Sequence, residues 1–173
     1  MIAALLRLAL VLVVIGLQAA LGSRLAILGV APDLPLVAVM LVALLVGSTR
    51  GGVAGVAVGL LLDLLRGSRI GLFGLAVGTA AWLCGEAAAR VDPARASVRA
   101  VVAVGASGVY GLIIVLGELV FQRHGVHAAG ALRHIVVAAL YDGALLTLAY
   151  WAVADRARGG ARAVPRPMAS WGR

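Results

Sequence analysis

Long apolar runs joined by short, arginine-bearing connections are the feature that most limits how this chain can fold. Six such runs lie at about 4–22, 34–49, 51–66, 70–89, 98–121 and 132–154. A helix needs ~20 apolar residues, with a usual range of ~17–25, to cross a bilayer. Hydrophobic residues make up 63% of the chain and charged residues 13%, against about 45–50% and about 25% in soluble domains. The sequence therefore predicts an all-α polytopic membrane protein, a compact bundle of six transmembrane helices.

Two of the runs leave alternatives open. The second and third are short and are separated by GSTRGG, residues 47–52, which predicts a tight helical hairpin. This pair either crosses the membrane fully, with bilayer thinning or arginine snorkelling, or forms a re-entrant hairpin. The first run, in which Arg7 precedes the stretch LALVLVVIGLQAALGS, resembles a signal peptide. Its length and the spans that follow favour a retained helix over residues 1–22.

The distribution of arginine predicts the orientation. With six spans, ten of the fifteen arginines fall on the side of both termini and five on the other. Cytoplasmic loops carry the excess of basic residues, so both termini are predicted to be cytoplasmic. The ten are Arg7, Arg50, Arg90, Arg95, Arg99, Arg156, Arg158, Arg162, Arg166 and Arg173.

The net charge of +8 would suggest a nucleic-acid partner in a soluble protein. Here the arginines lie between apolar runs and in the tail, so orientation in a bilayer explains them better and no nucleic-acid partner is predicted. The tail, residues 155–173, is basic and contains glycine and proline, which predicts a disordered cytoplasmic segment. It either lies on anionic headgroups or ends loosely.

Small residues recur at helical spacing on the third, fourth and fifth runs. Residues four apart share one face of a helix, and in lipid such smooth faces allow helix backbones to approach closely. We expect the three helices to pack together, or one face to receive a partner helix as well. The residues of this group on the third and fourth runs are Gly51, Gly55, Gly59, Gly71, Gly74, Gly78, Ala81 and Gly85.

Four acids lie within predicted spans, where an isolated charge costs at least ~2.5–3.5 kcal/mol near the bilayer centre. Glu86 precedes Arg90 by one turn, which predicts a local ion pair. Asp63 lies near the outer end of the third run, three residues before Arg66, and is expected to pair locally or to cap the turn. Glu118 is expected at the membrane interface.

Asp142 differs because it lies in the middle of the sixth run, with no arginine within a turn. It must be protonated or hydrogen-bonded to another helix. The candidate polar partners are Tyr141, Gln18 and Tyr110. Either a structural clamp or a functional contact is consistent with this position.

The sequence offers little that is typical of a catalytic or metal-binding site. His124 and His127 are closely spaced, and no carboxylate or cysteine lies nearby in sequence, so a polar loop is favoured over a metal site. Cys84 has no partner for an internal disulfide. The sequence shows no nucleophile elbow, phosphate-binding loop or HExxH motif. A non-enzymatic protein without a cofactor is predicted.

Several short motifs together resemble the bacterial rod-shape-determining protein MreD family. The resemblance extends over residues 1 to about 155 and rests on PDL before the second helix, GxxxGxxxDLLxG in the third, a Gly-rich fourth helix and Tyr-Asp in the last. These residues are Pro32, Asp33, Leu34, Gly55, Gly59, Asp63, Leu64, Leu65, Gly67, Gly71, Tyr141 and Asp142. In the family the last position is commonly asparagine, with a proline following, and this chain departs from both features.

The resemblance implies a non-enzymatic inner-membrane component of the cell-wall elongation machinery. Members associate with the bitopic protein MreC and, through it, with MreB, RodA and a penicillin-binding transpeptidase. The family fold is similar to the substrate-binding subunits of energy-coupling-factor transporters. In the scaffold hypothesis, the glycine stripe and the cluster of Asp63, Arg66 and Arg69 receive a partner's transmembrane helix. The alternative hypothesis is a solute-binding transport subunit with an outward-facing pocket.

Overall fold

The computed structural model describes residues 13–18, 20, 24, 26, 29–67, 71–91, 96–120 and 128–162, and the regular elements in these ranges are helices. Residues 13–18 belong to the first helix, α1. The others are α2 (Leu34–Val46), α3 (Ser48–Arg66), α4 (Leu72–Arg90), α5 (Ala96–Val120) and α6 (Ala128–Arg162). The all-α prediction is confirmed for this part of the chain.

Four of these helices, α3 to α6, are long and apolar enough to cross a membrane by length and composition. Their candidate spans are Ser48–Arg66, Leu72–Arg90, Ser97–Val120 and Gly130–Val153. This is compatible with a multi-pass membrane protein. With 13 residues, α2 is about 20 Å long, shorter than the ~30 Å hydrocarbon core. The predicted first span, 4–22, lies largely outside the described residues, as does the question whether its beginning is retained.

The connection between α2 and α3 differs from the prediction. Residues 47–52 do not form a turn, because α3 already begins at Ser48 and only Gly47 separates the two helices. Gly47 has φ 104° and its backbone N–H donates to the carbonyl of Ala43. This positive φ is accessible to glycine at little cost, so a single residue reverses the chain.

The last helix also extends beyond its predicted limits. It begins at Ala128 rather than 132 and continues to Arg162 rather than ending at 154. The first eight residues of the tail, for which disorder was predicted, are therefore part of α6. A charged segment can continue an existing helix because elongation adds a hydrogen bond for each residue fixed. Residues 163–173 lie outside the described residues.

Helix contacts close a ring: α2 packs on α3, α3 on α4, α4 on α5, α5 on α6, and α6 returns to α2. An additional contact between α2 and α4 crosses the middle. The core between these helices includes fully buried Leu36, Met40, Val77 and Leu146, surrounded by buried alanines of α4 and α5. Small residues let the helix backbones approach closely. Dispersion between closely packed backbones therefore contributes to these contacts, in addition to the larger buried side chains.

Candidate functional site

Asp142 lies at the junction of three helices and is 1% exposed. One carboxylate oxygen, Oδ2, accepts a hydrogen bond from Ser107 Oγ on α5 at 2.7 Å. The other, Oδ1, accepts one from the backbone N–H of Asp33 at 3.0 Å, immediately before α2. The expectation that this carboxyl group is hydrogen-bonded to another helix is therefore met, and two segments contribute rather than one.

Asp33 carries the network onward from the start of α2. Its Oδ1 accepts from the backbone N–H of Leu36 at 3.1 Å, which is an N-cap of the helix. Its Oδ2 accepts from the hydroxyl of Tyr110 on α5 at 2.7 Å. Pro35 in the first turn removes one of the amide groups that would otherwise need a partner. The Asp33 carboxylate thus caps the start of α2 and connects it to α5 through Tyr110.

Gln18 attaches α1 to the same place. Its side-chain Nε2 donates to the carbonyl of Pro32 at 2.8 Å, and its Oε1 accepts from the backbone N–H of Leu34 at 2.9 Å. Of the three partners predicted for Asp142, Gln18 and Tyr110 lie in this network, connected through Asp33 and its neighbours. Tyr141 is half-buried beside it on α6.

A cleft of about 700 Å³ lies between α5 and α6. Its floor is formed by the polar residues of the network: Gln18, Asp33, Ser107, Tyr110 and Asp142. The volume of the cleft falls within the ~300–1,000 Å³ typical of small-molecule sites. Exposed polar residues near the ends of α3, α5 and α6 form the rim: Arg66, Glu118 and His134. Between floor and rim the walls are apolar and include Phe73, Gly111, Ile114, Val115, Ile135 and Ala138.

Asp63 forms a second buried cluster, with no exposed surface. Its Oδ2 accepts from the backbone N–H groups of Gly71 at 2.9 Å and Gly74 at 3.2 Å. Its Oδ1 accepts from that of Phe73 at 3.2 Å. The carboxylate at the end of α3 therefore satisfies amides that the first turn of α4 leaves without intrahelical partners. Of the two expected roles, capping is observed, although the helix capped is the next one.

Arg66 and Phe73 close this corner of the cleft. The Arg66 guanidinium lies over the Phe73 ring, 4.6 Å from its centroid. That ring in turn lies 6.5 Å from the ring of Tyr110. Such cation–π and tilted aromatic contacts are favourable at a partly desolvated surface. The stacking connects the Asp63 cluster with the Asp142 network.

The glycine stripe of α3 is used for packing within the chain. A Cβ on Gly55 would lie 2.8 Å from the carbonyl oxygen of Val77, and one on Gly59 would lie 2.6 Å from Cα of Gly74. Gly51 similarly meets the backbone of Ala43 on α2. The complementary glycines on α4, Gly74, Gly78 and Gly85, face α3. This surface is covered by α2 and α4, so it is not open to a partner's helix.

The remaining predicted residues lie at the ends of helices. Glu86 forms an ion pair with Arg90, Oε1 to a guanidinium nitrogen at 3.0 Å, and its Oε2 accepts from the Ser48 hydroxyl at 3.2 Å. The local pair was predicted, whereas the hydroxyl contact was not. Glu118 is exposed near the end of α5.

Within the described ranges, no three His, Cys, Asp or Glu side chains gather closely enough to hold a metal ion. His124 and His127 lie outside these ranges. His134 is exposed on the cleft rim.

Sequence reasoning missed two members of the Asp142 network. Asp33 enters the sequence analysis only through the PDL motif, although an aspartate before a Leu-Pro helix start signals an N-cap. Ser107 gives no such signal, because a serine among alanines and glycines of α5 is indistinguishable from a packing residue. No protein-family model, no curated protein and no solved structure matches this chain.

Proposed function

We propose that this chain is a non-enzymatic inner-membrane component of the bacterial cell-wall elongation machinery, with the role in rod-shape determination that MreD-like proteins have. In this role it binds an MreC-like bitopic protein and thereby associates with MreB, RodA and a penicillin-binding transpeptidase. Its helices cross the cytoplasmic membrane with both termini in the cytoplasm, as the arginine distribution favours.

One observation carries the proposal. The short motifs on which the resemblance rests coincide with the two buried carboxylate clusters. Asp33 and Asp142 join α2, α5 and α6, whereas Gly55, Gly59 and Asp63 form the α3–α4 hairpin. Motif residues that each have a defined structural role support the resemblance more strongly than residue types alone.

The surface proposed for the MreC-like helix is the open side of the α3–α4 hairpin. A shallow groove of about 630 Å³ runs along it, lined by Thr49, Gly52, Val53, Val56, Ala57, Leu60, Leu75, Gly78, Thr79 and Trp82. Its lining is almost wholly apolar. An apolar groove with small exposed residues such as Ala57 is a surface on which a second transmembrane helix can pack closely. This location replaces the inward-facing glycine stripe of the scaffold hypothesis.

The test is co-purification of the full chain with the MreC-like protein of the same cell. Val53 is 68% exposed at the edge of the groove, so Val53→Trp obstructs it without disturbing the core. We expect recovery of the partner to fall about tenfold, the equivalent of about 1.4 kcal/mol, because a central contact in a packed interface is lost.

The matched control is Leu148→Trp on α6, where the side chain is 63% exposed. It adds the same ring to a surface away from the groove and should leave recovery unchanged. Equal recovery with both variants would place the partner elsewhere. Failure to recover any MreC-like protein, together with normal rod shape after depletion of this chain, would refute the function itself.

A second candidate function is a solute-binding subunit of an energy-coupling-factor-type transporter, and the cleft favours it. Several polar groups converge at its floor, which binding pockets need, and the sequence alone suggested only a thin polar set. The test is thermal stabilisation of the purified protein by a library of vitamin-sized solutes. No stabilisation by any of them, and no association with an energy-coupling module, would exclude this candidate.

A further inference from the structure

Four hydrogen-bond donors next to Asp33 and Asp142 on the cleft floor are already used. The Ser107 hydroxyl donates to Asp142 and the Tyr110 hydroxyl to Asp33. The backbone N–H groups of Asp33 and Leu36 also donate to these two carboxylates. A hydroxyl group has one hydrogen and a backbone amide has one. None of these four donors is therefore left for a molecule entering the cleft.

The same floor retains acceptor capacity. Each of the four carboxylate oxygens of Asp33 and Asp142 accepts one hydrogen bond, whereas a carboxylate oxygen has about two lone-pair sites. The Ser107 and Tyr110 oxygens contribute further lone pairs. A group that brings several donors complements this surface. A protonated amine has three donors and no acceptor, so it matches the floor.

The charges around the cleft also favour a cationic ligand. Arg66, Glu118 and His134 stand at the rim, while Asp33 and Asp142 are the ionisable acids at the floor. The Arg66 guanidinium is stacked on Phe73 at the rim. With both floor carboxylates ionised, the lining carries an excess of negative charge, and a cation placed there offsets the cost of burying them.

The walls define the rest of the ligand. From Ser107 to Glu118, α5 rises about 16 Å at 1.5 Å per residue, and the lining over this distance includes Gly111, Ile114 and Val115. Apolar side chains of α6 face them, including Ile135 and Ala138. A ligand seated on the floor therefore has its body between apolar surfaces, which favour hydrocarbon over a second polar group.

We propose that the cleft binds a small organic amine, with its ammonium group on the acceptor-rich floor between Asp33 and Asp142 and its apolar body along the walls of α5 and α6. This inference rests on the cleft being a ligand site, as the second candidate function requires, and it is independent of binding to an MreC-like protein.

The test uses the purified full chain in nanodiscs of neutral lipid and three primary amines of increasing size: butylamine, phenethylamine and tryptamine. Each amine is compared with the alcohol of the same carbon skeleton, which lacks the charge. Binding is measured by calorimetric titration. We expect at least one amine to bind about tenfold more tightly than its alcohol, because hydrogen bonds from a charged donor are stronger than neutral ones.

Two variants connect binding to the cleft. Asp142→Asn preserves shape and can still accept from the Asp33 amide, but it places a new donor on the floor, so amine binding should weaken about tenfold. Its control is Glu86→Gln, which neutralises a carboxylate at the opposite end of the bundle. Val115→Trp fills the cleft from its wall and should abolish binding, whereas Leu112→Trp, at a position 51% exposed on the same helix, should not.

The proposal is overturned if every amine binds no better than its alcohol, or if none binds in the millimolar range. It is also overturned if Asp142→Asn and Val115→Trp, shown to be folded by their thermal transitions, bind amines as the unaltered protein does. Should Asp142→Asn fail to fold, the two tryptophan variants decide. Preferential binding of a neutral or anionic solute would refute the amine and retain the second candidate function.

Discussion

Replacing Asp63 with alanine tests the role of the buried carboxylate that joins α3 to α4. The side chain accepts three hydrogen bonds, from the backbone N–H groups of Gly71, Phe73 and Gly74. Alanine leaves these three donors without that acceptor in a site where Asp63 has no exposure. The structure therefore predicts a large loss of stability from a residue that contributes nothing to the apolar core.

The magnitude follows from the number of donors. A buried donor left unsatisfied costs about 1–3 kcal/mol, so three cost at least about 3 kcal/mol. Alanine regains at most about 0.7 kcal/mol through its higher helix propensity. The free energy of unfolding should thus fall by more than about 2 kcal/mol, a change of about 30-fold or more in the unfolding equilibrium. Asp63→Asn keeps one acceptor oxygen and should lose less.

The measurement is equilibrium unfolding of the full chain in mixed micelles with increasing denaturing detergent. Glu86→Ala is the matched control. It also removes a carboxylate from a helix, but the ion pair of that carboxylate with Arg90 lies at the surface. Surface pairs contribute about 0–1 kcal/mol. If the free energies of unfolding of Asp63→Ala and Glu86→Ala differ by less than about 0.5 kcal/mol, the Asp63 carboxylate does not cap α4 in the way described.

Three further predictions use the same unfolding measurement. Gly55→Leu should abolish the folded state, because even its Cβ would lie 2.8 Å from the α4 backbone. In the control Gly105→Ala the new Cβ meets nothing within 4 Å, so this variant should be more stable by roughly 0.5–1 kcal/mol. Equal effects of the two substitutions would contradict the α3–α4 packing. Tyr110→Phe should cost about 1–2 kcal/mol by removing the hydroxyl that serves Asp33, and no change would mean that this bond does not hold α2. Ser107→Ala should cost about 1–3 kcal/mol by removing a buried donor, and an unaltered transition would place the Asp142 carboxylate elsewhere.

The helices could be predicted because hydrophobic length is a local property of the sequence. The predicted third and fourth runs, 51–66 and 70–89, differ from α3 and α4 by three residues or fewer at each end. The boundary at 47–52 was misplaced because the five polar or small residues after Gly47 look like a loop in sequence. In the structure Gly51 and Gly52 are packing surfaces of α3 against Ala43 and Trp82, and composition does not distinguish the two uses.

The polar network could be predicted only in part. Asp142 was identified because a carboxyl group in the middle of an apolar run requires a partner. The partner itself, the Asp33 amide, lies 109 residues away in the chain, and such a pairing depends on how the ring of helices closes. Local patterns carry no information about that closure. Asp63 shows the opposite case, because the backbone N–H groups that donate to its carboxylate lie within 11 residues, and a capping role was expected.

The shortness of α2 has an electrical consequence. Its first turn begins at the level of Asp142, about halfway along the Gly130–Val153 candidate span, so in the proposed membrane orientation the cleft would open the bundle toward one leaflet while α2 fills it toward the other. When aqueous solvent enters the open half, the membrane voltage drops mainly across the filled half, which is about 20 Å thick. A unit charge at the level of Asp142 then differs from one on the filled side by close to the full ~2.3 kcal/mol per 100 mV.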